Sequence, residues 1–249
     1  MKAMIFAAGL GSRLKPLTDE TPKALLPIGG KPMLEHIILK LKAAGFTHLV
    51  INIHHLGEQI IEFLTSKSHF GLHIDISDER DYLMDTGGGI KQAQSFLKGD
   101  EPFLVHNVDI FSNVDLEALY RHHLTSDALA TLVVSHRQTA RRLLFGQKKD
   151  HRLYGWRNRN TGEVRSHYPQ FDPSKYLEYA FGGIHVISPK IFDLMEEWTG
   201  KFSIINFYLS VCAKAPICPY VQDGLRLIDI GKPEALAEAD TWLRDNGLL

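Results

Sequence analysis

The sequence has little that would tie it to a membrane, an oxidising compartment or a polyanion. No apolar run is long enough to span a bilayer, and the run after Lys2 is too short for a signal peptide. Its two cysteines, Cys212 and Cys218, fit buried thiols better than a disulfide framework. Lys and Arg number 28 against 29 Asp and Glu, a balance that argues against nucleic acid or an anionic membrane as a partner. These absences predict a cytoplasmic protein.

Several common catalytic and nucleotide-binding patterns are also missing. The thirteen histidines show no zinc spacing such as His-Glu-x-x-His, and neither a Ser-His-Asp order nor a Gly-x-Ser-x-Gly elbow occurs. The dinucleotide-binding motif requires a third glycine at position 14, but this sequence has Leu14 there. The P-loop motif requires Gly-Lys-Ser or Gly-Lys-Thr, but Gly11 is followed by Ser12 and Arg13.

What is present is concentrated in the first 23 residues. A short apolar run, residues 3–7, predicts a buried strand that ends in a turn containing Gly9 and Gly11. Glycines let the backbone approach an anion closely and turn several N–H groups toward it. Arg13 and Lys23 add the positive charge that a triphosphate needs. This stretch therefore predicts a phosphate-binding loop.

The rest of the chain predicts an α/β fold. Apolar periodicity predicts strands at 46–53, 72–76, 102–109, 128–135 and 178–189, and helices at 31–41, 56–64, 90–97, 115–124, 189–198, 204–213 and 233–244. The alternation of strands and helices predicts a Rossmann-like, mostly parallel sheet flanked by helices, with ligands at the carboxyl ends of the strands. Segment 137–176, with its glycines and polar turn, predicts antiparallel hairpins.

That antiparallel segment carries a cluster of basic residues. They are Arg141, Arg142, Lys148, Lys149 and Arg152. A charge run of this kind is usually a solvated face, and we interpret it so.

Two neighbouring segments together resemble the signature of sugar-1-phosphate nucleotidyltransferases. They are Ala-Ala-Gly-Leu-Gly-Ser-Arg-Leu-Lys-Pro-Leu-Thr at residues 7–18 and Thr-Pro-Lys at 21–23. Weaker matches are Thr-Gly-Gly-Gly at 86–89, Asn-Val-Asp at 107–109, Gly-Gly-Ile at 182–184 and Asp-Ile-Gly-Lys-Pro at 229–233. The resemblance runs from Lys2 to about Ala237. It implies one catalytic domain over 1–249, with a nucleotide-binding part at about 1–136 and a sugar-phosphate-binding part at about 137–249.

The resemblance also implies roles for individual residues. The catalytic residues would be Arg13, Lys23 and Asp109. The nucleotide would contact Ala8, Gly9, Gly11, Ser12, Arg13, Lys23, Thr86, Gly87, Gly88, Gly89 and Asn107. The sugar would contact Glu178, Gly182 and Gly183, and Mg²⁺ would bind Asp109 and Asp229. The chain departs from the family pattern at Val108, where glycine is usual, at Leu227 for Trp and at Lys232 for Thr.

The implied reaction joins a nucleoside triphosphate to a sugar 1-phosphate and releases pyrophosphate. The Thr-Gly-Gly-Gly form resembles the branch that uses UTP and N-acetylmuramic acid 1-phosphate, and mannose 1-phosphate with GTP is the runner-up. A choline-phosphate cytidylyltransferase remains open, because Tyr154, Trp156 and Tyr176 could form a cage for a quaternary ammonium. A non-catalytic paralogue that binds nucleotide sugar and regulates a partner is the third alternative. Retention of both metal-binding acids argues against it.

Overall fold

The computed structural model describes residues 1–147 and 150–245. Within them the strands are β1 Lys2–Phe6, β2 Pro27–Ile28, β3 Lys31–Pro32, β4 His48–Ile53, β5 His73–Asp78, β6 Phe103–Asn107, β7 Ile110–Ser112, β8 Ala130–Ser135, β9 Arg141–Phe145, β10 Leu153–Asn158, β11 Val164–Ser166, β12 Leu177–Ile187, β13 Ile217–Tyr220 and β14 Leu227–Asp229. The helices are α1 Leu17–Glu20, α2 Met33–Ala43, α3 Gly57–Ser66, α4 Asp85–Gln92, α5 Gln94–Leu97, α6 Leu116–Leu124, α7 Ile191–Leu194, α8 Ile204–Val211 and α9 Pro233–Asp245.

A mixed sheet forms the centre of the molecule. Four parallel strands lie in the order β6-β1-β4-β5, and the long strand β12 joins them by pairing antiparallel with β6. The amino-terminal end of β12 pairs with β9, which continues into the antiparallel strands β10 and β11. Strand β8 pairs with β12 and β13. The prediction of a mostly parallel sheet with an antiparallel subregion is therefore confirmed.

Both faces of the sheet are buried, because alternate residues of its central strands enter different cores. In β1, Ala3 and Ile5 belong to one apolar cluster and Met4 to the other. Helix α2 contributes Ile37 to the first cluster, and helix α8 contributes Phe207 to the second. Burying a large apolar side chain stabilises the fold by about 1.5–3 kcal/mol, so these two layers hold the strand ends in place.

A bulge in β12 lies where this strand reaches the end of β6. The register between β12 and β8 shifts between Phe181 and His185. At Gly183, φ is +71°, and a Cβ there would lie 2.9 Å from Asn107 Nδ2. A Cβ on Gly182 would lie 2.9 Å from Val133 O. Close backbone packing therefore requires both glycines.

Some element boundaries differ from the prediction. The helix expected at 90–97 begins at Asp85, and its three glycines are helical. Glycine is a poor helix former, so the sequence predicted a turn there. The helix expected at 189–198 is reduced to α7. Strands β7 and β13 were not predicted, because strands this short depend on partners distant in sequence.

Both cysteines are free thiols, with Cys212 buried and Cys218 half-buried. Within the described ranges, no helix combines the length and the apolarity needed to cross a bilayer.

Candidate active site

Two adjoining cavities open at the carboxyl ends of the central strands. The loop cavity, about 400 Å³, is lined by Ala8, Gly11, Arg13, Lys23, Thr86 and Asp109 among others. The hairpin cavity, about 590 Å³, lies beside β9 and β10 and includes Arg137, Arg142, Trp156, Gly183 and Asp229. Arg13, Asn107 and Asp109 line both. Most of the residues predicted from sequence therefore line one or other of two cavities that share a wall.

The glycine turn after β1 is held by its own packing. Gly11 has φ +62°, and a Cβ there would lie 2.7 Å from Thr18 Cγ2. The Gly11 carbonyl accepts hydrogen bonds from Leu14 N at 2.7 Å and from Thr18 Oγ1 at 3.0 Å. The exposed Arg13 that follows lies against Gly231, where a Cβ would be 2.9 Å from Nη2. The turn thus places a guanidinium between the two cavities.

A buried pair that the sequence did not reveal supports this loop from below. Asn52, at the end of β4, accepts hydrogen bonds from Ala7 N at 2.7 Å and Ala8 N at 3.2 Å. Its Nδ2 donates to Glu79 Oε1 at 2.7 Å, and Glu79 Oε2 accepts from Met84 N at 3.0 Å. Burial raises the pKa of the Glu79 carboxyl. A polar residue closing an apolar strand was the only sequence signal for Asn52.

Lys23 and Asp109 form an ion pair inside the loop cavity. Lys23 is 8% exposed, and its ammonium group donates to Asp109 Oδ2. Asp109 follows β6 and is half-buried. Two catalytic candidates 86 positions apart are therefore in contact.

The two predicted metal ligands are brought together by a short strand pair. In the β7–β14 ladder Asp229 faces Ile110, and Ile230 N donates to Asp109 O at 2.9 Å. Both carboxylates line the hairpin cavity, and Arg137 Nη1 lies 3.2 Å from Asp229 Oδ2. Carboxylate oxygens are hard donors of the kind that Mg²⁺ prefers, so this donor set fits the ion.

A second group of possible metal ligands lies elsewhere. His48 Nε2 is 2.6 Å and His73 Nε2 is 3.2 Å from Asp75 Oδ2, and all three donor atoms lie within 4.8 Å of one another. His48 and His73 begin β4 and β5. This cluster therefore lies at the amino ends of the parallel strands, whereas the cavities lie at their carboxyl ends.

Of the Thr86–Gly89 segment, only Thr86 lines the loop cavity. Gly87 N and Gly88 N donate to Phe202 O at 2.8 and 3.2 Å, and a Cβ on Gly87 would overlap the Phe202 ring. A Cβ on Gly88 would lie 2.5 Å from Gly200 O, and one on Gly89 would lie 2.8 Å from a Glu79 carboxylate oxygen. Contacts within the protein thus account for the three glycines.

The predicted sugar-contacting residues are divided between environments. Gly183 lines the hairpin cavity. Both carboxylate oxygens of Glu178 are paired, with Arg157 Nη1 at 2.8 Å and with Arg159 at 2.8 Å. Gly182 packs against Val133.

The interpretation of the basic cluster as a solvated face is wrong for Arg142. Arg141 and Arg152 are exposed, but Arg142 is 4% exposed because β9 lies between β10 and β12. Alternation along β9 turns its side chain away from the solvent that Arg141 meets. Lys148 and Lys149 lie outside the described residues.

The proposed aromatic cage is largely occupied by protein. Tyr154 contacts Tyr168 and Tyr176, with ring centroids 4.7 and 4.9 Å apart. The Arg165 guanidinium lies 4.7 Å from the centre of the Trp156 ring. Neighbouring side chains therefore cover part of each of these three rings.

The chain is similar in sequence and fold to known proteins. A sequence profile of the nucleotidyl transferase family matches residues 2–245. N-acetylmuramate alpha-1-phosphate uridylyltransferase of Neisseria meningitidis serogroup B is 44% identical over 136 residues, which are 55% of this chain and 57% of that protein. The chain thus matches little more than half of that relative's length. A protein of the same name from Caulobacter vibrioides is 29% identical over 98% of this chain and 97% of that protein.

Solved structures share the fold. UDP-glucose pyrophosphorylase with UDP-glucose has a TM-score of 0.77 and 17% identity, over 98% of each chain. HddC from Yersinia pseudotuberculosis with GMP-PN has a TM-score of 0.71 and 22% identity, over 97% of this chain and 99% of that one. At such identities the likeness shows the fold alone. The family profile spans nearly the whole chain, so the resemblance predicted from its motifs is confirmed, and the chain belongs to the nucleotidyl transferase family.

Proposed function

We propose that the protein is a sugar-1-phosphate nucleotidyltransferase, which moves a nucleoside monophosphate from a triphosphate to a sugar 1-phosphate. The observation that carries the proposal is the meeting of Arg13, Lys23, Asp109 and Asp229 around two joined cavities. These residues come from four separate segments and bring two cations and two carboxylates to one place. A polyphosphate bound with a divalent cation needs both kinds of group.

In-line displacement at the α-phosphorus needs positioning and charge neutralisation more than proton transfer. The attacking sugar phosphate is already anionic near neutral pH, because its second pKa is about 6. No general base or covalent intermediate is required. Arg13, between the cavities, would neutralise the departing β- and γ-phosphates, and Lys23 would hold the α-phosphate.

Asp109 and Asp229 would hold Mg²⁺. When bound, the ion would neutralise charge on the phosphate oxygens. Lys23 and Arg137 pair with these same carboxylates, so each cation would lie close to the reacting groups when substrates bind. We assign the metal role to these acids because they line the cavities, whereas the histidine cluster does not.

The loop cavity would take the nucleotide. Backbone N–H groups of residues 9–12 would face its phosphates, and Thr86 with Asn107 would border the base. The half of the chain before residue 137 would bind the nucleotide and the half after it the sugar phosphate, within one catalytic domain. We place the protein in the cytoplasm, where its two thiols would stay reduced.

UTP and N-acetylmuramic acid 1-phosphate are the favoured substrates. The support is the uridylyltransferase from Caulobacter vibrioides, which is similar over almost the whole of both chains. The runner-up, GTP with mannose 1-phosphate, is supported by a mannose-1-phosphate guanyltransferase from Gibberella zeae, 38% identical over 54% of this chain.

The test is pyrophosphate release with Mg²⁺, measured for the four ribonucleoside triphosphates and dTTP. Each is paired with the 1-phosphates of N-acetylmuramic acid, glucosamine, mannose and glucose, and with phosphocholine. We expect the highest kcat/KM for UTP with the muramic acid substrate. Turnover with phosphocholine alone would replace the proposal by the cytidylyltransferase alternative. Nucleotide binding by calorimetry without any turnover would replace it by the regulatory one.

A further inference from the structure

The hairpin cavity holds more positive charge than transfer at the α-phosphorus uses. Arg137, Arg141 and Arg142 all line it. The acidic side chains among its described lining residues are Asp109 and Asp229, which the proposed function assigns to a metal. The surplus indicates that an anion other than the reacting phosphates belongs in this cavity.

The neighbouring arginines already have carboxylate partners. Arg137 pairs with Asp229 at 3.2 Å. Arg157 and Arg159 pair with the two oxygens of Glu178, each at 2.8 Å. Both oxygens of Glu178 are therefore already paired with other guanidinium groups.

Arg142 is different. It is 4% exposed, and no ion pair among the described residues includes it. Its Nε has no hydrogen-bond partner within residues 1–147 and 150–245, and its Nη2 makes one long contact, 3.5 Å, with Gln138 Oε1. Burial and the adjacent Arg159 lower its pKa. A buried guanidinium without a counterion is unfavourable, and a bound anion would relieve it.

The position of Arg142 separates it from the transferring phosphate. Strand β9 pairs with β12 through Leu143 and Tyr179, so Arg142 lies level with Ala180. Gly183, which packs against the end of β6 beside the metal-binding acids, is three residues further along β12. At roughly 3.3 Å per residue, and with the β12 bulge between the two positions, the separation along the strand is at most about 10 Å. A substituted hexose can span it.

We propose that Arg142 binds a carboxylate carried by the acceptor sugar, and so selects an acidic sugar 1-phosphate over its neutral analogue. The inference rests on the proposed function and adds a specificity determinant to it. The planar guanidinium matches a carboxylate through two parallel N–H···O bonds, and its free Nε is one of the donors required. N-acetylmuramic acid 1-phosphate carries such a carboxylate on an ether substituent, and N-acetylglucosamine 1-phosphate is the same sugar without it.

The test compares these two acceptors in steady-state kinetics with UTP. In the R142Q variant we expect kcat/KM for the muramic acid substrate to fall about 10- to 100-fold, mainly through KM, because a charge-assisted hydrogen bond is lost. The value for the glucosamine substrate should change less than about 3-fold. R152Q is the matched control, since Arg152 is an exposed arginine of the same segment paired with Asp150, and neither acceptor should respond to it.

A second measurement uses the unaltered protein. Converting the acceptor carboxylate to its carboxamide should lower kcat/KM to the level of the glucosamine substrate. An equal loss for both acceptors in R142Q would overturn the inference, because it would assign Arg142 to the 1-phosphate or to folding. The absence of any change in either kcat/KM value would also overturn it. Failure of the unaltered protein to release pyrophosphate with any acceptor would reject the proposed function itself, whereas a changed ratio in an active enzyme supports both.

Discussion

Replacing Asn52 by alanine should destabilise the protein, because this buried residue in the wall of the loop cavity holds the backbone of the glycine loop. Asn52 is 2% exposed and makes three hydrogen bonds, two from the backbone of the glycine loop and one to Glu79. The N52A variant leaves Ala7 N, Ala8 N and one carboxylate oxygen buried without partners. Each such group costs about 1–3 kcal/mol.

A total loss near the lower end of that range, about 3 kcal/mol, allows for some relaxation and water entry. For a chain of this size it corresponds to a fall in Tm of about 6–12 °C. The KM for the nucleoside triphosphate should rise as well, because the two amides lead directly into the loop. Thermal unfolding followed by circular dichroism and urea unfolding both measure the stability change.

The matched control is N113A. Asn113 also bonds two backbone groups, Gly224 O at 3.0 Å and Arg226 N at 2.8 Å, but it is exposed. Water can replace its hydrogen bonds, so the loss should stay below about 1 kcal/mol. Equal losses in the two variants, or a Tm of N52A within about 2 °C of the unaltered protein, would refute the reasoning.

The remaining predictions concern the acids, the glycines and one histidine. D109N and D229N should each lower the rate of pyrophosphate release about 10²–10³-fold, the scale for one preorganised electrostatic partner, and near-normal turnover in either would remove its assignment. G87A should destabilise by about 1–3 kcal/mol through overpacking against an aromatic ring, whereas G9A, with nothing within 4 Å of its added Cβ, should leave Tm unchanged; equal Tm values would contradict this. Burial lowers the pKa of His185 to about 3. Its contribution to the free energy of unfolding is therefore present above the pKa that the ring has in the unfolded chain, and is lost as pH falls from about 6.5 toward 3. Between pH 7 and pH 5 that loss is about 2 kcal/mol, and H185Q should lose that much less than the unaltered protein in urea titrations; parallel losses would exclude the ring as the cause.

The elements that sequence reasoning predicted best are those with a strong local period. Strand β1 and helix α2 are buried at most of their apolar positions. The glycine turn could also be predicted, because a left-handed backbone such as that of Gly11 favours glycine. Helix α4 was misplaced because its glycines favour a turn, and contacts with Phe202, far along the chain, override that preference.

The parts of the site that were missed depend on pairings between distant strands. Asn52 and Glu79 meet because β4 lies beside β5, and neither residue has a motif around it. Arg142 is buried because β9 lies between β10 and β12, so a basic cluster that looks solvated in sequence contains one enclosed guanidinium. The two acids proposed as metal ligands were predicted from a strand end and from family resemblance, but the sequence did not show that three-residue strands bring them together.

The most direct test of the account follows the oxygen atoms through the reaction. N-acetylmuramic acid 1-phosphate labelled with ¹⁸O in its non-bridging phosphate oxygens is incubated with UTP and Mg²⁺, and both products are analysed by mass spectrometry. Attack on the α-phosphorus predicts a UDP-sugar that keeps all the label and a pyrophosphate that carries none. Label in the pyrophosphate, or hydrolysis of UTP without a nucleotide sugar, would contradict the account.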